Sequence, residues 1–411
     1  MKFKKRNLLF VVLIMGTLIV LSLSVILKET KAISHEEARY LTTFESLVDT
    51  SYLDGSFQNT FEEAYTDQFV FRNQIVMFKK GFDYLVKDFM LSLTDDLTLN
   101  KMPEVNVNQI GNSSWLINMI VEDTSENEYR FKTRAEEINA LQERHPDVDI
   151  YVYMPTQVHD TDIFDAANGI VGGGPALTKI FKNTLEVPYS EYQLNTIDDY
   201  YKAYYMSDHH PNNVGADIFY QDIVKLLDID EEPLRPTGED CHVGTTFLGT
   251  FARQTGFISD ADEFCIYTYD LPDYDVYSDG ILQDYQSRND FVNYDVESLD
   301  EKYPYWYGIA YTSYEPIMEF DSHQEDKGNL LIIGDSYSSS IADLLASHFN
   351  HTYRVMPYNV EFYTKQLFNY DKFIVEHDID KVVFMLTFEN YYYQDEWGDR
   401  WAQNAIVEVK D

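Results

Sequence analysis

Apolar positions along this chain fall into three registers, and each predicts a different kind of element. Leu8 to Leu27 is an uncharged run of twenty residues, interrupted only by Gly16 and the small polar residues Thr17, Ser22 and Ser24. As a helix it is long enough to cross a hydrocarbon core of ~30 Å. Phe57, Phe61 and Tyr65 then recur at steps of four, followed by Ile75, Phe78, Phe82, Leu85 and Phe89 at steps of three and four. That is the spacing of helices with one buried face. From about residue 106 the pattern changes to an alternation. An amphipathic stretch from Glu126 to Arg144 precedes the apolar run DIYVYMP. Later come LLII, a helix with Ile341, Leu344 and Leu345 on one face, the short strand YRVM, the helix LFNYDKFIVEH and the strand KVVFML. Strands alternating with helices predict right-handed crossovers and an α/β fold whose parallel sheet is covered on both faces. Between about 235 and 325 there is little periodicity beyond pieces such as FCIYTYD, and the region reads as an insertion of short strands and loops.

Charge refines this division. Lys2, Lys4, Lys5 and Arg6 flank the first apolar run, so the flank stays inside and the rest of the chain is placed outside the cytoplasm. A cleaved signal peptide is the rival reading, but its apolar region is usually shorter, and no A-x-A-like site precedes Lys31-Ala32. The expected organisation is an anchor or signal peptide over 1–30, a helical stalk over 31–105, and an α/β domain over 106–411 carrying the insertion. Lys and Arg total 31 against 70 Asp and Glu, a net charge of -39, which repels polyanions and argues against nucleic acid as a partner. The 33 Tyr and 26 Phe argue against disorder, because aromatic side chains supply much of a core's buried area. Some of the tyrosines are alternatively a platform for sugars. The two cysteines, Cys241 and Cys265, form a disulfide in an oxidising compartment or remain two buried thiols; a bridge closing a loop of that size is worth roughly 3 to 4 kcal/mol.

Candidate chemistry begins at Ser336, in GNLLIIGDSYSSSIADLLASHF. It follows an apolar strand and precedes a helix, and ligand chemistry in parallel sheets gathers at the carboxyl ends of strands. The backbone N–H groups of the helix start suit a developing oxyanion. Ser336 is equally well placed to be the cap of that helix, and as a nucleophile it needs a base. SDHHPNNVGA supplies one. Pro211 pushes His210 toward an extended conformation, where residues two apart share a side. Asp208 and His210 then stand together as orienter and base, with His209 turned away, before Asn212, Asn213 and Gly215 open a helix. The histidines are alternatively metal ligands, or a helix cap beside a turn. No H-E-x-x-H, EF-hand loop or phosphate-binding Gly-rich loop is present, GIVGGGPAL lacking the Lys-Ser/Thr ending.

SDHHPNNVGA and LLIIGDSYSSSIADLLASHF together resemble the DHHW proteins of bacterial envelopes, relatives of the alginate O-acetyltransferase group within the SGNH hydrolase-like superfamily. The likeness extends through YTDQFVFRNQIVMFKKGFDYLV, FLGTFARQTG and DEKYPYWYGIAY, about residues 57 to 390. It implies a flavodoxin-like SGNH hydrolase-type fold in permuted order, with Asp-x-His ahead of Ser. It also implies Ser336 as nucleophile, His210 as base and Asp208 as orienter in acetyl transfer to or from glycan hydroxyls, with no cofactor. A membrane-bound O-acyltransferase is the implied source of the acetyl group. The family's Trp is Pro211 here, which removes an aromatic wall beside the histidine. By similarity Gly249 and Asn390 are candidate oxyanion donors, alternatively a turn and a cap. Arg253 meets an anionic sugar or pairs with the abundant acids. Two rivals stay open: a non-catalytic glycan-binding or assembly protein, and a metal-dependent phosphoesterase using the His pair.

Overall fold

The computed structural model describes residues 2–27, 30–34, 39–76, 78–79, 81–82, 97–102, 105–241, 247–256, 262–285, 287–293, 306–312, 315–364 and 366–392. Its centre is an eight-stranded sheet. In chain order the strands are β1 (Asp149–Met154), β2 (Tyr189–Glu191), β3 (Asp275–Ser278), β4 (Ile281–Leu282), β5 (Ile317–Asp321), β6 (Leu330–Gly334), β7 (His351–Val355) and β8 (Lys381–Met385). Across the sheet they run β4-β3-β5-β7-β6-β8-β1-β2.

The five strands from β7 to β2 are parallel. The expectation of a wholly parallel sheet needs correcting at the other edge, where β5 pairs antiparallel with β7 and carries the β3–β4 hairpin. For the β3–β4 pair the reason is local: Asp279 and Gly280 have φ of 47° and 77°, the left-handed pair that closes a two-residue hairpin, and such a hairpin can only pair antiparallel. The segment expected as an insertion thus adds three strands to the sheet. A separate ribbon pairs Gly238–Cys241 with Cys265–Thr268, and a three-stranded antiparallel sheet is formed by Leu99–Lys101, Val107–Ile110 and Leu116–Asn118.

Both faces of the sheet are packed, as the apolar strands require. Leu330, Ile332, Val383 and Met385 point into one core with helices Asn213–Leu226 and Ala342–Ala346. Leu331, Ile333, Val382 and Phe384 point into the other with helices Ser125–Arg144, Gly174–Thr184 and Tyr370–Glu376. The four residues Leu330 to Ile333 are wholly buried, each worth ~1.5–3 kcal/mol relative to exposure. The expected single amphipathic helix after β6 is two short pieces, Ser336–Ser339 and Ala342–Ala346. Ala342 to Ala346 are all buried, so no polar face exists to make that segment amphipathic.

Chain order makes β6 the switch point. The chain leaves β6 for β7 on one side, covering one face with Ala342–Ala346, then reaches β8 on the other side after covering the opposite face with Tyr370–Glu376. Diverging connections open a crevice beyond the carboxyl end of the strand between them.

Upstream, a helix runs Lys2–Leu27 and another Ser56–Asp67. Phe57, Phe61 and Tyr65 stack along the second with ring centroids 6.3 Å apart. Leu85 and Phe89, expected on a following helix, lie outside the described residues. Among the described residues, no helix is long and apolar enough to cross a membrane.

Candidate active site

Above β6 four loops meet, two at residues 207–210 and 249–250 and two at the carboxyl ends of β6 and β8. The first holds Asp208 and His210. Residues 207–210 form a bend, in place of the expected extended segment, because the Oδ1 of Asp208 accepts the backbone N–H of His210 at 2.9 Å. An aspartate that bonds its own backbone two residues on turns the chain. The turn itself, instead of strand alternation, sets the two side chains together. It is pinned from outside by Asp262, which accepts the N–H groups of Met206 and Ser207 at 2.9 and 2.7 Å.

The second loop, at residues 249–250, completes the aspartate's hydrogen bonds. The Thr250 N–H donates to Asp208 Oδ2. Gly249 donates its N–H to Ser207 Oγ at 3.1 Å, and a Cβ there would sit 2.3 Å from the Cβ of Asp208. Only glycine tolerates that approach.

The third loop follows β6. Asp335, not Ser336, caps the short helix, its Oδ1 accepting the Tyr337 N–H at 3.0 Å. Ser336 is the first helical residue, and its hydroxyl lies 2.7 Å from His210 Nε2. His210 Nδ1 lies 2.5 Å from Asp208 Oδ1. A carboxylate can only accept, so Nδ1 carries the proton and Nε2 accepts from the Ser336 hydroxyl. The fourth loop follows β8. Thr387 N–H, Thr387 Oγ1 and Asn390 Nδ2 all donate to Asp335 Oδ2, each at 2.8 Å.

Electrostatics follow from this burial. Asp208 and His210 are buried. Burial alone would raise the Asp208 carboxyl, but the adjacent imidazoles of His210 and His209 and the Thr250 N–H outweigh it and hold the carboxyl well below the usual carboxylate range. Burial and the neighbouring His210 push His209 down to about 4. His209 is not turned away from the site. Its ring lies 3.9 Å from that of His210, and Tyr337 donates its hydroxyl to the His209 carbonyl.

The structure therefore brings Ser336, His210 and Asp208 into one hydrogen-bonded chain. Gly249 and Asn390, expected as oxyanion donors, have their N–H groups engaged: Gly249 with Ser207, Asn390 with Asp335 and with Thr387 Oγ1 at 2.9 Å. The Ser336 backbone N–H is then the expected donor that stays beside the hydroxyl. Arg253 lies on helix Thr250–Thr255 and is buried. Cys241 and Cys265 face each other across the two-stranded ribbon and are disulfide-bonded. The wall that Pro211 cannot supply comes from Tyr307, whose ring stacks on His210 at 3.9 Å and 21°.

Asp335, Thr387, Thr250 and Tyr307 were not read from the sequence as site residues. Two carried a signal: Asp335 directly precedes Ser336, and Thr387 stands just past the end of β8, where loops of parallel sheets gather. The ligand atoms of Asp208, His209 and His210 lie within 4.8 Å of one another. Both ring nitrogens of His210 already have hydrogen-bond partners, an arrangement that suits proton transfer better than metal ligation.

Beside Ser336, His209, Phe251, Tyr337, Thr387, Glu389 and Gln157 line part of a cleft of about 520 Å³. Amides, hydroxyls and aromatic faces in one groove suit a sugar.

No protein-family profile matches this chain, and no curated protein does. Among solved structures, Bacillus cereus PatB1 with a sulfonyl adduct superposes with a TM-score of 0.54 at 17% identity, covering 73% of this chain and 98% of that one. A DHHW family protein from Eubacterium siraeum superposes with a TM-score of 0.50 at 15% identity, covering 75% and 97%. The O-acetyltransferase domain of Pseudomonas putida AlgJ overlaps less well, with a TM-score of 0.43 at 10% identity, covering 73% and 98%. The body of this chain thus has the fold of PatB1 and of a DHHW family protein, in keeping with the resemblance read from its two motif blocks.

Proposed function

We propose that this chain is an extracytoplasmic, serine-dependent O-acetyltransferase or acetylesterase acting on a cell-envelope or secreted polysaccharide. The observation that carries the reading is the chain from Asp208 through His210 to Ser336, with contacts of 2.5 and 2.7 Å. The family resemblance of the motifs supplies the acetyl group and the glycan.

The chemistry follows from the geometry. Ser336 Oγ attacks the donor's acetyl carbonyl while its proton passes to His210 Nε2, and the Ser336 N–H faces the oxyanion. Asp208 stabilises the imidazolium through Nδ1. His210 then protonates the leaving oxygen, and acetyl-Ser336 remains. A sugar hydroxyl, or water in the esterase, gives its proton to His210 and attacks the acetyl carbon; the acyl–Oγ bond breaks and His210 returns the proton to Ser336 Oγ, which restores the free serine. Transferase and esterase share every residue; access of the acceptor separates them.

The location belongs to the same proposal. Leu8 to Met15 are exposed at every position over more than two turns of the first helix, an apolar surface that favours attachment to lipid beside Lys2, Lys4, Lys5 and Arg6. A membrane-bound O-acyltransferase then delivers the acetyl group to the outer side. The groove's amides and aromatic rings also favour a second reading, a glycan-binding protein of a polysaccharide assembly system with no turnover.

Incubating the full chain in detergent with a chromogenic acetyl ester distinguishes the two. Acetate release that Ser336→Ala abolishes and a chelator leaves intact supports the enzyme, as does an acetyl adduct on Ser336 by mass spectrometry. Absence of turnover with retained polysaccharide binding supports the second reading.

A further inference from the structure

Steps of three and four at Ile75, Phe78 and Phe82 predict a helix with its apolar face buried, and here that face is uncovered. The described residues from 72 to 82 are helical, and with about 3.6 residues per turn those three side chains share one side. Ile75 is 56% exposed, Phe78 79% and Phe82 61%, with Phe71 in the preceding turn at 59%. Asn73 stands on the opposite side. Such spacing normally marks the side a helix buries, so an exposed aromatic row of this kind marks a surface that something outside the body covers.

Two observations say what covers it. The first is where the row begins. Buried Gln68 accepts the Lys31 N–H at 3.0 Å and donates to the carbonyls of Lys31 and Thr42 at 2.9 and 3.1 Å. Lys31 follows closely on Leu27, the end of the first helix, and the hydroxyls of Ser22 and Tyr65 lie 3.1 Å apart. The exposed apolar side chains of the first helix, Leu8 to Met15 with Ile19 and Val20, thus lead to the turn from which residues 72–82 depart. The second observation is charge. Residues 69–82 hold Arg72, Lys79 and Lys80 and no acid, in a chain where 70 Asp and Glu outnumber 31 Lys and Arg. Lys79 is exposed between Phe78 and Phe82. Exposed aromatic rings edged by basic side chains match the boundary of a bilayer with anionic headgroups.

We propose that residues 71–82 are a second lipid contact. The helix lies along the surface of a bilayer carrying anionic phospholipid, with Phe71, Ile75, Phe78 and Phe82 at the boundary of headgroups and acyl chains and Lys79 beside the phosphates. This rests on the placement of the first helix against lipid and adds to it. One attached helix leaves the body free to swivel; a second contact fixes which side of the body faces the bilayer.

The test is fluorescence quenching from within the bilayer. Cys241 and Cys265 are bridged, so a thiol-reactive bimane labels only an introduced cysteine. The full chain carrying Phe78→Cys, Phe82→Cys, Asn73→Cys or Leu13→Cys is reconstituted into vesicles of phosphatidylglycerol and phosphatidylcholine in equal parts, with circular dichroism as the fold control. Doxyl-labelled acyl chains are expected to quench the probe at least twofold in Phe78→Cys and Phe82→Cys and to leave it unquenched in Asn73→Cys. In phosphatidylcholine alone the quenching is expected to be at least twofold weaker, and the pair Lys79→Glu and Lys80→Glu to remove that difference. Should one of the two Phe variants fail to fold, the other decides. No quenching in either, equal quenching in Asn73→Cys, or a blue-shifted emission that doxyl lipid leaves intact, which would mean that protein covers the face, would overturn the proposal. Equal quenching in the two lipids would overturn its anionic part. Quenching in Leu13→Cys without quenching at 78 or 82 sinks the second contact and leaves the first helix on lipid; the reverse result sinks the placement of the first helix and leaves this contact standing.

Discussion

His210 Nε2 lies 2.7 Å from Ser336 Oγ across 126 positions of sequence, and the imidazole's other nitrogen is held by Asp208. Ser336→Ala is therefore expected to reduce acetyl-ester turnover to background. Asp208→Asn keeps the size of the side chain but favours the wrong tautomer, and a loss of roughly 10⁴ in kcat is the expectation from comparable triads. Steady-state kinetics with circular dichroism as a fold control reads both; an Asp208→Asn variant within tenfold of wild type refutes the orienting role.

Asn390 acts one residue away from the nucleophile, through Asp335. Asn390→Ala removes one of the three donors to Oδ2 of the half-buried Asp335 carboxylate, a loss of about 1.5–3 kcal/mol for a hydrogen bond to a charged group. Denaturant unfolding should register that loss, and kcat is expected to fall about tenfold with KM little changed. An unchanged unfolding midpoint would show that Thr387 alone secures Asp335.

Tyr307 positions the base by its ring face. Tyr307→Phe keeps the stack and is expected to retain most of kcat. Tyr307→Leu removes it and is expected to cost at least tenfold in kcat, with far less effect on KM. Equal activity of the two variants would remove the ring from the argument.

The buried cluster of His159, Asp160 and Glu389 predicts how stability changes with pH. Burial opposes a charge on His159, but the carboxylates of Asp160 and Glu389 outweigh it and push the imidazole up to about 9. A histidine raised above its unfolded value of about 6.5 contributes stability that is complete below that value. The contribution is lost as pH rises through about 9. Melting temperature should therefore fall between pH 6.5 and 9 in the wild type, and fall less steeply in His159→Gln. Parallel slopes for the two proteins would contradict the charge assignment.

The Cys241–Cys265 bridge closes a loop of sequence separation 24. In the chain-entropy picture its removal costs roughly 3 to 4 kcal/mol. Paired Cys241→Ser and Cys265→Ser substitutions should lower the unfolding midpoint of the body accordingly, and a shift under 1 kcal/mol would point to strain that offsets the entropy.

The alternation of apolar strands and helices was enough to read the parallel part of the sheet, because strands buried on both faces leave continuous apolar runs such as LLII and KVVFML. The antiparallel edge was harder to read. Its strands are short and half exposed, with no apolar run, although the Asp279-Gly280 turn is a hairpin signal that the surrounding Asp and Tyr residues obscure. At the site, Ser336, His210 and Asp208 were legible because nucleophile, base and orienter are distinctive residue types, Ser336 just past a strand and the Asp-x-His pair just before a helix. Their supports were not. Thr250 acts through its backbone, Tyr307 through a ring in a Tyr-rich stretch, and Asp335 and Asn390 through each other. None of these roles leaves a local pattern, since each depends on which distant loops the sheet order brings together. For the same reason a bend at Asp208 stands where Pro211 predicts an extended segment: a side chain bonding its own backbone competes with extension, and Pro211 alone does not settle the outcome.

The flat surface against which the base lies is donated by Tyr307, far downstream in the chain, while the position directly after the histidine pair is a proline. Sequence and geometry are thereby uncoupled at this point: the slot next to the imidazole can be filled from a different stretch of polypeptide, leaving the following residue free to drift. Kin of this chain would then escape any search that insists on a tryptophan at that position, and would be found by asking instead which aromatic side chain, from anywhere, arrives to cover the ring.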